Sequence, residues 1–303
     1  MNQSRRKFLA GSATILGAGL LGSHLLSGKI NKSKHLVGLQ LYSVRAEMTK
    51  DPLATLTQLA EMGYKNVEHA NYIKGKFYGF APKEFRKILD DLGLAMPSGH
   101  TVMGKPHWDE NKQEFTDVWK QTIEDAAILG QKFVISPWLD ASYRKDKDGL
   151  LRMMEVFNKS GELCMQSGMQ FGYHNHDFEF SESLDGEQLY DIMLNNTDPK
   201  LVMQQLDIGN MVNGGGKAEE VLKKFPNRFQ SMHVKDEIPS NGGHEKFESC
   251  VLGKGTLDVK GIVELGLKKG GTTDLIIEQE AYQGQAPIDA MKEDLEVMKK
   301  WGY

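Results

Sequence analysis

Ionisable and polar side chains lie near the ends of segments that are otherwise typical of buried β-strands. They are Gln40, Glu68, His100, His174, His176, Asp207, His233, Lys235, Glu278 and Glu280. Burying so many charged groups without partners costs too much free energy, so they must pair with one another or bind a metal ion. Carboxylates and imidazoles together form a mixed oxygen and nitrogen site, which suits Mn²⁺, Mg²⁺, Co²⁺ or Zn²⁺. The absence of thiolates from this set argues against a structural zinc site.

The spacing of these residues supports one shared site. Side chains alternate between the two faces of a strand, so residues two apart project to the same side. Such pairs are His174 and His176, His233 and Lys235, and Glu278 and Glu280. Taken singly, each has a simpler explanation: Asp207 before Gly209 is typical of an Asx turn, and a histidine at a strand end is often a hydrogen-bonded core residue. Polar groups at so many strand ends favour one shared site over coincidence.

The elements that carry these residues alternate between strand and helix. Strand patterns occupy 35–43, 66–70, 94–102, 132–137, 169–175, 201–209, 229–236 and 274–280. Amphipathic helical patterns occupy 52–62, 82–92, 113–129, 149–167, 258–269 and 287–300. Eight strand–helix units in about 270 residues predict an α/β fold, a single (β/α)8 TIM barrel whose strand ends meet at one catalytic face. An open doubly wound sheet is the alternative, but no G-x-G-x-x-G motif follows the first strand.

Charge excludes two classes of partner. The chain has 303 residues with 37 basic and 41 acidic side chains, a net charge of −4. Residues 1–34 hold six of the basic residues and no acidic one, so the remaining 31 basic and 41 acidic residues give the body a net charge of −10. Such a body repels nucleic acid and anionic membranes. We therefore expect a small-molecule partner.

The N-terminal segment predicts export. Arg5 and Arg6 precede an uncharged stretch from Ala10 to Leu26, the arrangement of a twin-arginine signal. The stretch has 17 residues and four glycines, so a membrane anchor is the less favoured alternative and no stable span is expected after processing. We expect a signal peptide and linker at 1–34, a barrel domain at 35–303 and a periplasmic location. Cys164, in a helical pattern, and Cys250, in a polar loop, are predicted to be free thiols.

Four motifs resemble a known family along essentially the whole of residues 35–303. They are Tyr173-His174-Asn175-His176, Leu206-Asp207-Ile208-Gly209-Asn210, His233-Val234-Lys235-Asp236 and Ile277-Glu278-Gln279-Glu280. With these motifs the chain resembles the sugar phosphate isomerase/epimerase family of xylose isomerase-like TIM barrels. The resemblance implies one divalent metal ion held by residues of strands five to eight. Carried over by position, three of the ligands are Asp207, His233 and Glu278.

The fifth strand departs from the family pattern. His174 stands where many members have glutamate, and this departure resembles an inosose-dehydratase-like, keto-sugar-processing branch. His174 is therefore the predicted fourth ligand, with Glu179 as the alternative. In epimerases of the family, glutamates of the fifth and eighth strands are the two proton-transfer bases, so the histidine breaks that symmetry.

The resemblance implies a divalent-metal-dependent isomerase or epimerase of a sugar or keto-sugar. Its chemistry is removal of the proton α to a carbonyl, with the metal stabilising an enediolate. Glu278, His176 and Glu68 are candidate bases, and Lys235 either orients a substrate oxygen or pairs with Asp236. Protonating a β leaving group instead gives a lyase, dehydratase or hydrolase of keto-glycosides or cyclitols, which is the alternative within enzymes.

The expected substrate is an unphosphorylated carbohydrate, because export removes the protein from phosphorylated sugars and no basic phosphate cradle is visible. Gln40, Tyr42, His100 and Trp138 are predicted to contact it. Outside enzymes, the alternative is a periplasmic sugar-binding barrel, which has no need of a Lewis acid. Phosphodiester hydrolysis in DNA repair is disfavoured by the acidic body. Barrels of this kind commonly form homodimers.

Overall fold

A closed parallel barrel forms the centre of the molecule, as predicted. The computed structural model describes residues 35–242 and 245–303, so the predicted export signal lies outside the described residues. The barrel strands are β1 (Leu36–Gln40), β2 (Asn66–His69), β3 (Ala95–His100), β4 (Phe133–Ser136), β5 (Gln170–His174), β6 (Val202–Asp207), β7 (Ser231–Val234) and β8 (Asp274–Ile277). Each strand pairs with the next one in sequence, and β8 pairs with β1 to close the barrel.

Helices connect the strands and cover the barrel. They are α1 (Arg45–Lys50), α2 (Pro52–Met62), α3 (Pro82–Leu92), α4 (Asp117–Leu129), α5 (Lys147–Gln166), α6 (Phe178–Ser181), α7 (Leu189–Asn195), α8 (Ile208–Asn213), α9 (Ala218–Lys224), α10 (Val259–Leu265) and α11 (Pro287–Trp301). Shorter turns are the 3-10 helices Leu41–Val44, Lys105–His107 and Ala141–Tyr143 and the π-helical turn Gly266–Gly270. Small hairpins pair Tyr72–Ile73 with Lys76–Phe77, Trp108–Asp109 with Glu114–Phe115, Ser183–Leu184 with Glu187–Gln188, and Asp236–Pro239 with Phe247–Cys250.

Local sequence signals explain where α2 begins and ends. The Asp51 side chain accepts a hydrogen bond from the Ala54 backbone N–H, and Pro52 occupies the first helical position. Gly63 ends the helix with φ of 108°, a conformation that glycine adopts without a Cβ clash. The observed bounds of α2 and α3 coincide with the predicted segments 52–62 and 82–92.

Two strands, β1 and β6, end earlier than predicted because a polar side chain at the strand end caps the following turn. The Gln40 side chain accepts the Tyr42 backbone N–H and starts a 3-10 turn, which corrects the predicted strand 35–43. Asp207 accepts the Asn210 backbone N–H in the same way and starts α8. His176, Lys235, Glu278 and Glu280 lie in loops just beyond β5, β7 and β8.

Most of the apolar core packs between the barrel and its helices, and a smaller cluster fills the barrel interior. Phe133, Ile135 and Met203 form that interior cluster. Gly172 makes room for it, because a Cβ there would lie 2.5 Å from the Met203 sulfur. These side chains fill part of the barrel interior, as the layers of a TIM barrel do.

Both cysteines are free and buried, as predicted for the thiols. Cys250 lies in the strand Phe247–Cys250 of a hairpin rather than in a polar loop, which corrects the predicted environment. Within residues 35–242 and 245–303, no helix is both long and apolar enough to cross a membrane.

Replacing Asp294 by asparagine is expected to flatten the pH dependence of stability. Asp294 lies on α11, 1% exposed, and burial raises the pKa of its carboxyl to about 7. Between about pH 4 and 7 the folded chain therefore holds a proton that the unfolded chain has lost, so stability falls as pH rises, by at most about 1.4 kcal/mol per pH unit. Asparagine keeps an acceptor for the Leu252 backbone N–H, 2.8 Å away, and cannot ionise.

The measurement is the unfolding midpoint in urea across that pH range. Asp289→Asn is the matched control, since Asp289 is exposed on the same helix. The prediction fails if both variants follow the wild-type slope.

Candidate active site

Two carboxylates and an imidazole meet where β6, β7 and β8 end. The register of the barrel places Asp207 opposite His233. His233 Nδ1 lies 2.9 Å from Glu278 Oε2 and 3.5 Å from Asp207 Oδ2. Asp207 and His233 are fully buried, and Glu278 is 6% exposed. The predicted ligands therefore converge, although Glu278 follows β8 rather than belonging to it.

The Lys235 ammonium sits among the same carboxylates. Its Nζ is 3.0 Å from Asp207 Oδ2, 2.9 Å from Glu278 Oε2 and 2.7 Å from Glu280 Oε1. The alternative pairing with Asp236 is wrong, because that carboxylate instead accepts backbone N–H groups of the loop that follows. Lys235 therefore supplies positive charge to the donor group itself.

Mutual charge stabilises the ionised forms of Glu278, His233 and Lys235. Burial by itself raises the pKa of Glu278, but Lys235 and His233 outweigh it and hold that pKa well below its usual range. Burial likewise lowers the pKa of His233 and of Lys235, yet the neighbouring carboxylates raise both well above their usual values. Glu278 is consequently ionised at neutral pH.

A second layer of polar groups, centred on Glu68, lies beneath the donors. The Glu68 carboxylate accepts hydrogen bonds from Gln40 Nε2 at 2.7 Å, Gln205 Nε2 at 2.9 Å and the Ser98 hydroxyl. It also lies 2.6 Å from His233 Nε2. Glu68 and Gln40 are fully buried and do not line the cavity above. Both were predicted to meet substrate, but here they orient His233 from below.

Gln205 orients the histidines, a role not predicted from the sequence. Its amide nitrogen donates to Glu68 and to Ser231 Oγ, so its oxygen accepts from His100 Nε2 at 2.7 Å and His174 Nδ1 at 3.1 Å. This network places the His174 proton on Nδ1 and leaves a lone pair on Nε2. The available sequence signal was the period-two spacing of Gln205 and Asp207 on one face of β6.

The geometry favours His174 over Glu179 as the fourth donor. His174 Nε2 lies 3.9 Å from Asp207 Oδ2. The Glu179 oxygens are occupied by the Tyr173 hydroxyl and, at 2.8 Å, by the His176 backbone N–H. Burial also raises the pKa of Glu179 to about 8, which disfavours the ionised form that a metal requires.

The donor group fits a divalent ion. One atom each from Asp207, His233 and Glu278 lies within 4.8 Å of the other two. Metal–ligand bonds of about 2.1 Å place neighbouring donors roughly 3 to 3.5 Å apart. His233 Nδ1 lies 2.9 Å from Glu278 Oε2 and 3.5 Å from Asp207 Oδ2, close to that spacing. Asp207 Oδ2 is buried and accepts no well-aligned hydrogen bond among the described residues; its nearest partner is the Lys235 ammonium, 3.0 Å away. Oxygen and nitrogen donors of this kind suit Mn²⁺, Co²⁺, Mg²⁺ or Zn²⁺.

A cavity of about 910 Å³ opens directly above the donors. Glu278 and His174 line it and connect the buried donors to its interior. The predicted substrate contacts Tyr42, His100 and Trp138 also line it. The donor group and aromatic rings therefore face one cavity.

His176 contributes a neutral imidazole to the cavity wall. Burial lowers the pKa of His176 to about 4, so the ring is uncharged at neutral pH. Its Nδ1 is buried and has no hydrogen-bond partner within the described part of the chain. The ring is held by the edge of Trp138, with centroids 4.9 Å apart, and by Phe178 at 6.0 Å. This nitrogen is therefore free for a hydrogen bond to a bound molecule.

Comparisons with known proteins agree with this architecture. Residues 56–301 match the xylose isomerase-like TIM barrel family. An inosose dehydratase from Clostridium botulinum is 24% identical over 250 residues, covering 74% of this chain and 80% of that protein. An inosose dehydratase from Clostridium perfringens is 33% identical over 194 residues, covering 60% and 62%. The crystal structure of a sugar phosphate isomerase/epimerase from Parabacteroides distasonis superposes with a TM-score of 0.76 at 28% identity, covering 89% of this chain and 95% of that one.

Proposed function

The chain belongs to the xylose isomerase-like TIM barrel family, a family of enzymes, and from this premise we propose that it removes the proton α to the carbonyl of a keto-sugar or keto-cyclitol. The observation that carries the proposal is the buried group of Asp207, His233 and Glu278, of which Glu278 lines the cavity. We propose an unphosphorylated substrate, because the cavity lining is not rich in basic residues and the N-terminal sequence favours export.

Asp207, His233 and Glu278, with His174 as a fourth donor, are the residues that would hold a divalent ion. Such an ion supplies a Lewis acid for the substrate carbonyl oxygen when it is bound. Glu68 acts as a positioning residue, because its contact with His233 Nε2 directs Nδ1 of the same ring toward the carboxylates. Outer contacts of this kind orient ligands and raise their basicity.

Glu278 is the proposed base. It lines the cavity and makes its contacts to His233 and Lys235 through Oε2, so Oε1 is the oxygen proposed to take the α-proton. His176 Nδ1, which has no partner in the described structure, is proposed to bind a substrate hydroxyl. General-base catalysis by a positioned side chain contributes about 10² to 10⁴ in rate.

The fifth strand favours elimination as the outcome. Epimerisation requires a proton donor on the opposite face of the reacting carbon, and His174 is instead engaged with Gln205 through Nδ1. A single carboxyl group suffices for dehydration: Glu278 takes the α-proton and returns it to the departing β-hydroxyl as the C–O bond breaks. Water leaves, a carbon–carbon double bond forms, and no proton is consumed. The names of the two inosose dehydratases support this outcome.

Isomerisation or epimerisation is the second candidate. It is favoured by the structural similarity to the sugar phosphate isomerase/epimerase, whose sequence is 28% identical. The two outcomes share removal of the α-proton as the first step. They differ in whether the proton is then delivered to a carbon of the sugar or to the oxygen of the departing β-hydroxyl.

Solvent exchange tests the shared step. The purified protein is freed of metal with chelator, reloaded with Mn²⁺, Co²⁺, Mg²⁺ or Zn²⁺, and incubated in D₂O with keto-sugars and inososes. Nuclear magnetic resonance then follows the α-proton. We expect loss of the α-proton signal together with an enone absorbing in the ultraviolet, which identifies a lyase. A deuterated isomer without enone identifies an isomerase, and absence of exchange with every metal and substrate overturns the proposal.

A further inference from the structure

Exposed apolar side chains are concentrated in the cavity. Among residues 35–242 and 245–303, seven large apolar side chains are exposed, and five of them line this one cavity. The five are Tyr42, Ile73, Val102, Val118 and Trp138, between 40% and 60% exposed. Single exposed apolar residues are ordinary on protein surfaces, but a concave cluster marks a binding surface.

These five residues occupy the half of the barrel mouth that lacks the donors. Tyr42, Ile73, Val102 and Trp138 follow β1, β2, β3 and β4 in that order, and Val118 lies in the first turn of α4. The donor residues come from the ends of β5 to β8. Because each strand neighbours the next around the closed barrel, the two sets face each other across the mouth. The exposed apolar side chains of the mouth are therefore collected in the half opposite the donors, where Lys74, Asp117 and Gln121 add polar groups to the lining.

The two halves belong to one continuous cavity. Trp138 joins them, since its ring packs against His176 with centroids 4.9 Å apart. The volume of about 910 Å³ lies near the upper end of the usual range for small-molecule sites, about 300 to 1,000 Å³. A single sugar ring at the donors leaves the opposite half uncovered.

We propose that the ligand is a glycoside, with its sugar ring at the donor half and an apolar aglycone on the β1–β4 half. This inference rests on the proposed function for the position of the sugar. Tyr42 and Trp138 present aromatic rings that stack on flat groups. Ile73, Val102 and Val118 add aliphatic surface, which gains from contact with an apolar group but offers no hydrogen bond to a second sugar.

Calorimetric titration of the metal-loaded, full-length protein tests the subsite directly. Phenyl and methyl glycosides of the same sugars are the probes, together with the corresponding disaccharides. We expect phenyl glycosides to bind at least tenfold more tightly than methyl glycosides. Ile73→Asn and Val118→Asn are expected to remove most of this preference, because each replaces exposed apolar surface of the cavity with a polar amide.

Leu53→Asn and Met165→Asn are the matched controls, since both residues are exposed apolar side chains outside the cavity. They should leave the phenyl preference unchanged. Equal affinity for phenyl and methyl glycosides overturns the inference, as does a preference for disaccharides. The inference is also overturned if Ile73→Asn changes the oligomeric state of the protein but leaves its affinity for glycosides unchanged. The β1–β4 half is then an interface between copies of the chain.

The binding assay separates this inference from the proposed reaction. Phenyl preference without any α-proton exchange supports the subsite and overturns only the reaction. Exchange on free keto-sugars without phenyl preference supports the reaction and overturns only the subsite.

Discussion

Asparagine in place of Asp207 is expected to weaken binding of Mn²⁺ or Zn²⁺ by more than about 100-fold and to abolish α-proton exchange. The change keeps an acceptor for the Asn210 backbone N–H, which lies 2.7 Å from Oδ1. It converts Oδ2, the atom that faces His233 and Lys235, into an amide N–H₂ group that cannot ligate a metal. Loss of an outer contact to a ligand already costs about 10- to 100-fold in metal affinity, so loss of the ligand itself costs more.

Metal affinity is measured by competition with a chromophoric chelator, and exchange by nuclear magnetic resonance in D₂O. Glu280→Gln is the matched control, because it removes one negative charge from the same Lys235 contact without removing a donor of the group. We expect that variant to bind metal within a few-fold of wild type. Wild-type affinity in Asp207→Asn refutes the assignment of Asp207 as a ligand.

The barrel was predictable because it depends on local periodicity. Strand and helix patterns are set by neighbours in sequence, and eight repeats of one unit leave few ways to close a sheet. The ends of the strands were less predictable. Gln40 and Asp207 resemble strand residues in the pattern, but their side chains accept backbone N–H groups and end the strands. A polar side chain that accepts a backbone N–H competes with continuation of the strand at that position.

The donor group was predicted from residue types together with the family resemblance, and the structure brings Asp207, His233 and Glu278 together. The partners of these residues were not predictable in the same way. The contact between Glu68 and His233 spans 165 positions of sequence and depends on barrel register. The side chain of a polar residue near a strand end can point up into the cavity or down into the barrel. The sequence alone did not show that Glu278 lines the cavity whereas Glu68 lies beneath the donors.

Register also explains why Gln205 was missed as an orienting residue. It stands opposite His174 on β5 and Ser231 on β7, so one amide group reaches both neighbouring strands. A glutamine inside a barrel has no distinctive spacing beyond its alternation with Asp207. Its role becomes visible only when the hydrogen bonds of both amide atoms are assigned.

Methionine in place of Lys235 is expected to destabilise the metal-free protein by about 3 to 5 kcal/mol and to strengthen metal binding. Lys235 is 2% exposed, and its ammonium contacts Asp207 Oδ2 and Glu278 Oε2, the two oxygens proposed as ligands. Removing one partner of a buried ion pair leaves the other charge uncompensated, which accounts for the cost. A divalent ion then neutralises the same carboxylates without first displacing an ammonium group, so we expect at least tenfold tighter binding, about 1.4 kcal/mol.

Chemical denaturation in chelator and in excess Zn²⁺ measures the two stabilities, and chelator competition measures affinity. Metal should restore the stability of the variant, because a ligand that binds only the folded state adds its binding free energy. Lys224→Met is the matched control: Lys224 is exposed and pairs with Asp191 at 2.6 Å, and surface pairs are worth only about 0 to 1 kcal/mol. If Lys235→Met loses no more stability than Lys224→Met without metal, the lysine does not neutralise the donor group. If its metal affinity is unchanged, ammonium and metal do not compete for the same oxygens.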